Sequence, residues 1–124
     1  MKRLTAVSEF RLKLYPKDFH SVRRFYEEEL GYDAIHDWDK SASKGVMFNI
    51  GTATLELLWP DPHGYDAAKS ADVSWAVTDV QELFEAMKDK QYITGGLVDN
   101  SWGDTSFHIQ DPEGFRITFF TKTK

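Results

Sequence analysis

Residues 10–31 read FRLKLYPKDFHSVRRFYEEELG and contain a strand pattern followed directly by a helix pattern. Leu12 and Leu14 alternate with charged residues, which predicts a strand with one apolar face. Asp18 is a good N-cap residue, because its carboxylate can accept the free N–H groups of a first helical turn. Apolar residues then recur at helical spacing until Gly31, a residue typical of the position just beyond a helix. This stretch therefore predicts a β-strand and then an α-helix.

Further strand patterns follow this helix. Gly45–Ile50 and Thr52–Trp59 are two strand-like runs joined near Gly51, and there is room for another strand around Tyr32–Trp38. The first half of the chain is therefore predicted to have the order βαβββ.

The second half repeats this order. Alternating apolar residues at 73–77 predict a strand, and Asp79 with Glu82 three residues later is typical of a capping box that opens a helix. Three more strands are predicted at 97–100, 105–110 and 115–121. The sequence Asp-Pro-Glu-Gly at 111–114 separates the last two strands and suits a type I turn.

The two halves can be aligned by their spacing. The predicted helix caps Asp18 and Asp79 lie 61 residues apart (79 − 18), and the late strand residues Leu57 and Phe119 lie 62 apart (119 − 57). The sequence thus predicts an α+β fold in a single domain made of two βαβββ modules. The modules are placed at about 1–60 and 71–124, with a linker at about 61–70.

Composition excludes several classes of function. The chain has 124 residues and a net charge of −5, which disfavours general nucleic-acid binding because that needs a basic face. It has no cysteine, so disulfides, thiolate-bound metals and thiol nucleophiles are excluded. No apolar run approaches a membrane span, and the first residues lack the apolar stretch of a signal peptide. We therefore expect a cytoplasmic protein with no membrane or nucleic-acid partner.

Three short motifs carry a family resemblance. Phe25-Tyr26 is followed by Leu30-Gly31 on the first predicted helix, Val77-Thr78-Asp79-Val80 opens the second helix, and Asp111-Pro112-Glu113-Gly114 precedes the last strand. In this order the chain resembles the vicinal oxygen chelate superfamily, which includes glyoxalase I, bleomycin-resistance proteins and extradiol dioxygenases. The resemblance implies curved mixed sheets that enclose a cleft, often completed in a homodimer, so we expect a homodimer.

The resemblance also implies where a metal would bind. Metal-dependent members use four ligand positions, which fall here on Arg11, Glu56, Asp72 and Thr118. Arginine has no lone pair to donate and remains protonated, and threonine is a poor ligand. Two carboxylates alone are too few for a transition-metal site. We therefore expect no metal cofactor, with a divalent metal as the alternative if this alignment is shifted.

The strand alternation places polar side chains toward the expected cleft. Arg11 and Arg116 are cations that can bind a carboxylate or phosphate of a small ligand. A structural alternative is an ion-pair cluster, such as Arg11 with Glu56 or with Asp72. His108 is predicted to face the same cleft and is a candidate for a general acid or base, whereas the other histidines, His20, His36 and His63, are expected at the surface.

Four tryptophans contribute to a high aromatic content. Trp75 is predicted in the core, and Trp59 in the core or at its rim. Trp38 and Trp102 are predicted to lie in loops, either as stacking platforms for a ligand or as dimer contacts. The candidate ligand-binding residues are therefore Arg11, Glu56, Asp72, Arg116, Thr118, Trp102 and Trp38.

Three functions remain open from the sequence. The first is metal-independent binding of a small molecule, anionic or aromatic, in the manner of drug or metabolite sequestration. The second is a metal-dependent lyase, isomerase or dioxygenase that would use Glu56 and His108. The third is a ligand-free dimer that binds a partner protein through a cleft filled by ion pairs.

Overall fold

The computed structural model describes residues 6–123, which form two compact units, one ending at Tyr65 and the other beginning at Asp66. The first unit contains β1 (Arg11–Leu14), α1 (Phe19–Arg24), a π-helical turn (Phe25–Glu29), β2 (Asp33–Lys40), β3 (Ser43–Asn49) and β4 (Thr54–Trp59). The second contains α2 (Ala67–Ser70), β5 (Val73–Ala76), α3 (Val80–Met87), β6 (Val98–Asn100), β7 (Asp104–Gln110) and β8 (Arg116–Lys122).

Each unit contains one four-stranded mixed sheet with the same topology. The first sheet has the order β1-β4-β3-β2 and the second has the order β5-β8-β7-β6. In both, the first strand runs parallel to the last, and the remaining pairs are antiparallel. The α+β fold of two βαβββ modules predicted from the sequence is confirmed.

The predicted helix caps are present. The Asp18 carboxylate accepts a hydrogen bond from the backbone N–H of Ser21 at 3.1 Å, and the Asp79 carboxylate accepts one from Glu82 at the same distance. Each bond satisfies an N–H group that has no partner inside the helix. Gly31 follows the first helix with a φ of 75°, the left-handed conformation that favours glycine.

The first helix ends in a wider turn than the spacing of its apolar residues predicts. After α1 the chain makes a π-helical turn, in which the N–H of Leu30 donates to the carbonyl of Phe25. This hydrogen bond joins residues that are five apart in the chain. Both Phe25 and Tyr26 are buried in the core, and Tyr26 is fully buried.

The core of each unit lies between its helix and one face of its sheet. In the first unit, Phe48, Leu55 and Leu57 are fully buried beneath the helix. In the second unit, the Phe84 ring of α3 packs against Phe107 with ring centroids 5.2 Å apart. Leu55 and Leu57 lie on one side of β4, so Glu56 between them points to the opposite face of the first sheet.

The turn before the last strand is formed as predicted. The N–H of Gly114 donates to the carbonyl of Asp111, which closes the four-residue turn. The buried Asp111 carboxylate also accepts hydrogen bonds from the N–H groups of Glu113 and Phe115. This aspartate therefore fixes the point at which β8 begins.

No helix within residues 6–123 has the length and apolar character needed to cross a membrane.

Candidate functional site

The candidate site begins with the face of the first sheet that points away from its helix. We call this the first polar face, and its strand register places side chains in rows, because directly paired residues share a face. One row runs from β1 to β2 as Lys13, Glu56, Met47 and His36. The row beside it contains Leu58, Gly45 and Trp38.

Glu56 is the buried charged residue of this face. It is 8% exposed, and its Oε1 atom has no hydrogen-bond partner within the described residues. A buried acceptor left without a donor costs about 1–3 kcal/mol, and more when it is charged. The fold therefore holds a carboxylate oxygen where a hydrogen-bond donor would stabilise it.

Arg11 does not neutralise Glu56. The Arg11 guanidinium lies 3.4 Å from the Glu9 carboxylate, and the two side chains are 43% and 62% exposed. The prediction of an ion pair between Arg11 and Glu56 is wrong. In the strand register, Arg11 lies opposite Thr54 on β4, and Lys13 lies opposite Glu56. An exposed pair of this kind contributes at most about 1 kcal/mol.

Trp38 belongs to strand β2, in the region where the sequence left room for a strand, and its prediction as a loop residue is wrong. It lies on the edge strand β2, where all the residues except Trp38 are exposed. The alternation of buried and exposed residues that identifies a half-buried strand is therefore missing. Its indole Nε1 donates a hydrogen bond to the Ser43 hydroxyl at 3.0 Å. The neighbouring ring of His36, also on this strand, lies 5.6 Å from it.

The Trp38 ring lies directly over Gly45. A Cβ atom at position 45 would overlap the six-membered part of the indole, with its Cε2 atom 2.6 Å away. Only a glycine lets the ring approach the backbone of β3 this closely. The ring is therefore held on the first polar face by Gly45 beneath it and by Ser43 at its edge.

The corresponding face of the second sheet carries the other predicted residues. Arg116 begins β8, and its Nε atom lies 3.9 Å from the carboxylate of Asp72, just before β5. Thr118 is paired with Ser74 on one side and with His108 on the other. We call the face that holds Ser74, His108, Arg116 and Thr118 the second polar face.

The surroundings of His108 lower its pKa, which favours the neutral imidazole. Burial lowers its pKa from the ordinary value of 6.5, the positive charge of Arg116 lowers it further, and Asp72 opposes the shift. Its ring packs against Gly95, where a Cβ atom would lie 2.8 Å from Nε2. A neutral imidazole can donate one hydrogen bond and accept another.

Trp102 lies in the turn between β6 and β7, as predicted, and is 75% exposed. Its Nε1 donates to the Asp104 carboxylate at 3.0 Å, and the other oxygen of that carboxylate accepts from the Asn100 amide. The exposed Trp102 ring is therefore held by contacts within its own turn.

The structure thus sorts the predicted residues by unit. Arg11, Glu56 and Trp38 share the first polar face, whereas Arg116, Thr118 and His108 share the second. The sequence reasoning missed Gly45 and Ser43, which position the Trp38 ring. A glycine inside a strand pattern indicates close approach by another group, so Gly45 carried a usable signal.

The residues at the four expected metal-ligand positions do not fit a metal. Within each unit, the described histidine, aspartate and glutamate side chains form no group of three that could hold an ion. Arg11 is a permanent cation, and Thr118 offers a hydroxyl on a strand. Glu56 supplies one buried carboxylate, which is a hydrogen-bond acceptor as it stands.

The chain matches the model of a known protein family. The family model described as Glyoxalase/Bleomycin resistance protein/Dioxygenase superfamily matches residues 9–119. No curated protein matches the chain.

Several solved structures share the fold at low identity. TnmS3, an antibiotic-binding protein from Streptomyces sp. CB03234, superposes with a TM-score of 0.75 at 16% identity over 97% of this chain and 99% of that one. Lactoylglutathione lyase from Agrobacterium tumefaciens has a TM-score of 0.68 at 20% identity over 96% and 95% of the two chains. UcmS2 has a TM-score of 0.70 at 16% identity over 95% and 98%.

Proposed function

The chain belongs to the glyoxalase/bleomycin resistance protein/dioxygenase superfamily, and from that premise we propose that it is a metal-independent small-molecule-binding protein. Its role would be to sequester a drug or metabolite. One observation carries the proposal: Arg11 and Thr118 stand at two of the four positions where metal-dependent members would place ligands. Fold alone does not decide function, so the argument rests on these side chains.

The charge of Arg11 opposes a metal at this place. A guanidinium stays protonated at any physiological pH, and it repels a divalent cation. Glu56 and Asp72 are the remaining carboxylates of the set, and Asp72 already faces Arg116 at 3.9 Å. Two carboxylates without imidazole ligands are a weak site for a transition metal.

The polar faces support binding of a small molecule. The first polar face offers an indole ring and a buried carboxylate oxygen that has no donor in the described part of the chain, and such features are typical of ligand sites. The antibiotic-binding protein TnmS3 has the same fold, which makes sequestration the favoured role within this proposal. The proposed contact residues are Arg11, Glu56 and Trp38 in the first unit, and Asp72, Arg116, Thr118 and Trp102 in the second.

Metal content tests this proposal directly. The protein is purified without chelator, its metal content per protomer is measured, and it is then titrated with Zn, Ni, Mn and Fe(II) while the Tm is recorded. We expect substoichiometric metal and no shift in Tm. A tightly bound ion at about 100 times its Kd would stabilise the fold by about 2.7 kcal/mol, so a missed site would be visible.

Removal of metal sharpens the same test. Treatment with a chelator should leave the Tm unchanged. Stoichiometric metal in the unaltered protein would overturn the proposal and favour a metal-dependent enzyme that uses Glu56.

A further inference from the structure

We propose that the first polar face binds a planar aromatic compound that carries a basic nitrogen. Its ring would stack on Trp38, and its N–H group would donate to the Oε1 atom of Glu56. This inference rests on the proposed function, since it names the class of small molecule that would be bound. The charge of this ligand is opposite to that of the anionic ligand that Arg11 and Arg116 favour in the sequence.

Glu56 supplies the reason for a nitrogen donor. An ionised carboxylate only accepts hydrogen bonds, and its Oε1 atom has no donor within residues 6–123. Lys13 lies opposite on β1 but is exposed, and the described ion pairs include none between these two residues. A protonated amine or amidine satisfies a buried carboxylate in both charge and hydrogen bonding.

Trp38 supplies the reason for an aromatic ring. Gly45 lies against one face of its indole, and Ser43 fixes the ring edge through Nε1, so the ring has a defined orientation without a ligand. The side chain is only half-buried. A rigid, partly exposed indole is a platform for stacking or for a cation–π contact.

The spacing of the two groups defines the size of the ligand. Gly45 lies beneath the indole, and Met47, two residues along β3, pairs with Glu56 on the next strand. Strand geometry separates Gly45 from Glu56 by about 7 Å along the strands and about 5 Å across them. A ligand of two or three fused rings spans this distance, and the flexible Met47 side chain can adjust to its edge.

The arginines are less suited to fix an anion. Arg11 lies within ion-pair distance of Glu9, and Arg116 lies within that distance of Asp72. An anionic ligand would therefore compete with a carboxylate that is already present at each arginine. An N–H donor at Glu56 would displace no protein contact of the Oε1 atom.

Two probes with the same rings and opposite charge test the inference. 9-Aminoacridine is a planar cation, and acridine-9-carboxylate is the matching anion; the affinity of each is measured by calorimetry. We expect the cation to bind at least about tenfold more tightly than the anion, and Glu56→Gln to remove most of that preference.

A second pair of variants tests the ring platform without touching the carboxylate. Gly45→Ala places a methyl group in the space of the Trp38 ring and should weaken 9-aminoacridine at least about tenfold. Gly96→Ala is the matched control, because a Cβ atom there meets no other atom within 4 Å. Circular dichroism establishes that each variant is folded.

The outcomes separate this inference from the proposed function. Tighter binding of the anion, lost in Arg11→Ala, would overturn the inference and leave the proposed small-molecule binding intact. Equal binding of both probes, no binding of either, or affinity unchanged by Glu56→Gln and Gly45→Ala would also overturn the inference. Stoichiometric metal would overturn the proposed function, whatever the probes do.

Discussion

The two units share one backbone plan and place different chemistry on it. In the first sheet, Glu56 is paired with Lys13 and Met47. At the same places in the second sheet, Thr118 is paired with Ser74 and His108. The residues match at spacings of 61 or 62, so the strand register is repeated while the side chains are not.

This difference shows how a duplicated fold can specialise one half. The hydroxyl groups of Ser74 and Thr118 carry no charge and can rotate to suit their surroundings. Glu56 is buried, and among residues 6–123 its Oε1 atom lacks a donor, which is costly for the fold. A local cost of this kind is typical of a functional site.

The helices of the two units also differ in packing. Tyr26 in the first unit is fully buried, whereas Met87, 61 residues later at the end of α3, is only half-buried. Val22 in the first unit is buried, and its counterpart Leu83 is half-buried. The first helix therefore contributes more to the stability of its unit.

The largest expected effect tests this packing difference. Tyr26→Ala should reduce the free energy of unfolding by about 3–5 kcal/mol, because it leaves a large cavity in a closed core. Met87→Ala should cost only about 1 kcal/mol, because solvent already reaches that side chain. Urea unfolding followed by circular dichroism measures both. Equal losses would contradict the comparison.

The next effect concerns the turns between the last two strands of each unit. Asp111→Ala removes a buried carboxylate that accepts two backbone N–H groups and should cost about 2–3 kcal/mol. Asn49, in the first unit, is exposed and accepts a single bond from Gly51, so Asn49→Ala should cost about 0.5 kcal/mol. Thermal and urea unfolding would show whether Asp111→Ala lowers the free energy of unfolding more than Asn49→Ala does.

Glu56→Met is expected to stabilise the protein, by about 1–2 kcal/mol. It replaces a buried acceptor, for which residues 6–123 supply no donor, with an apolar side chain of similar length. The same change should abolish the preference for 9-aminoacridine. Thr118→Val, the control in the second unit, should alter stability by less than about 0.5 kcal/mol. A destabilised Glu56→Met protein would mean that the carboxylate supports the fold.

The smallest effect is a pH dependence specific to the second unit. The pKa of His108 is lower in the folded protein than in the unfolded chain, so the unfolded state binds more protons as the pH falls below about 6.5. The contribution of His108 to the free energy of unfolding is therefore present above that pH. It is lost as the pH falls through the pKa that His108 has in the folded protein. His108→Met installs the residue found at the matching position of the first unit.

We expect the His108→Met protein to lose part of the decrease in Tm between pH 7 and pH 5. Differential scanning calorimetry at closely spaced pH values measures this slope. A slope identical to that of the unaltered protein would show that His108 does not contribute to it.

The sequence was sufficient for the fold because its strongest signals are local. Asp18, Asp79 and Asp111 each act on backbone groups within four residues, so the residue type and its spacing predict the contact. The βαβββ repeat follows from these signals and from the apolar alternation of β1, β4 and β8. None of them depends on distant parts of the chain.

The site was less predictable because its contacts depend on register and on edge strands. The pattern around Trp38 is polar on both faces, so periodicity could not distinguish a strand from a loop. The partner predicted for Arg11 was wrong because strand alternation shows which charges share a face but not which of them form an ion pair. The carboxylate of Glu56 was found from the sequence, but its missing donor needed the structure.

The close contact between Trp38 and Gly45 has a consequence for comparing homologous sequences. A side chain at position 45 and an indole at position 38 cannot occupy the same space, so these two positions are expected to vary together. A homologue with alanine or serine at position 45 should carry a smaller residue at position 38. We therefore expect glycine at position 45 in homologues that carry an indole at position 38.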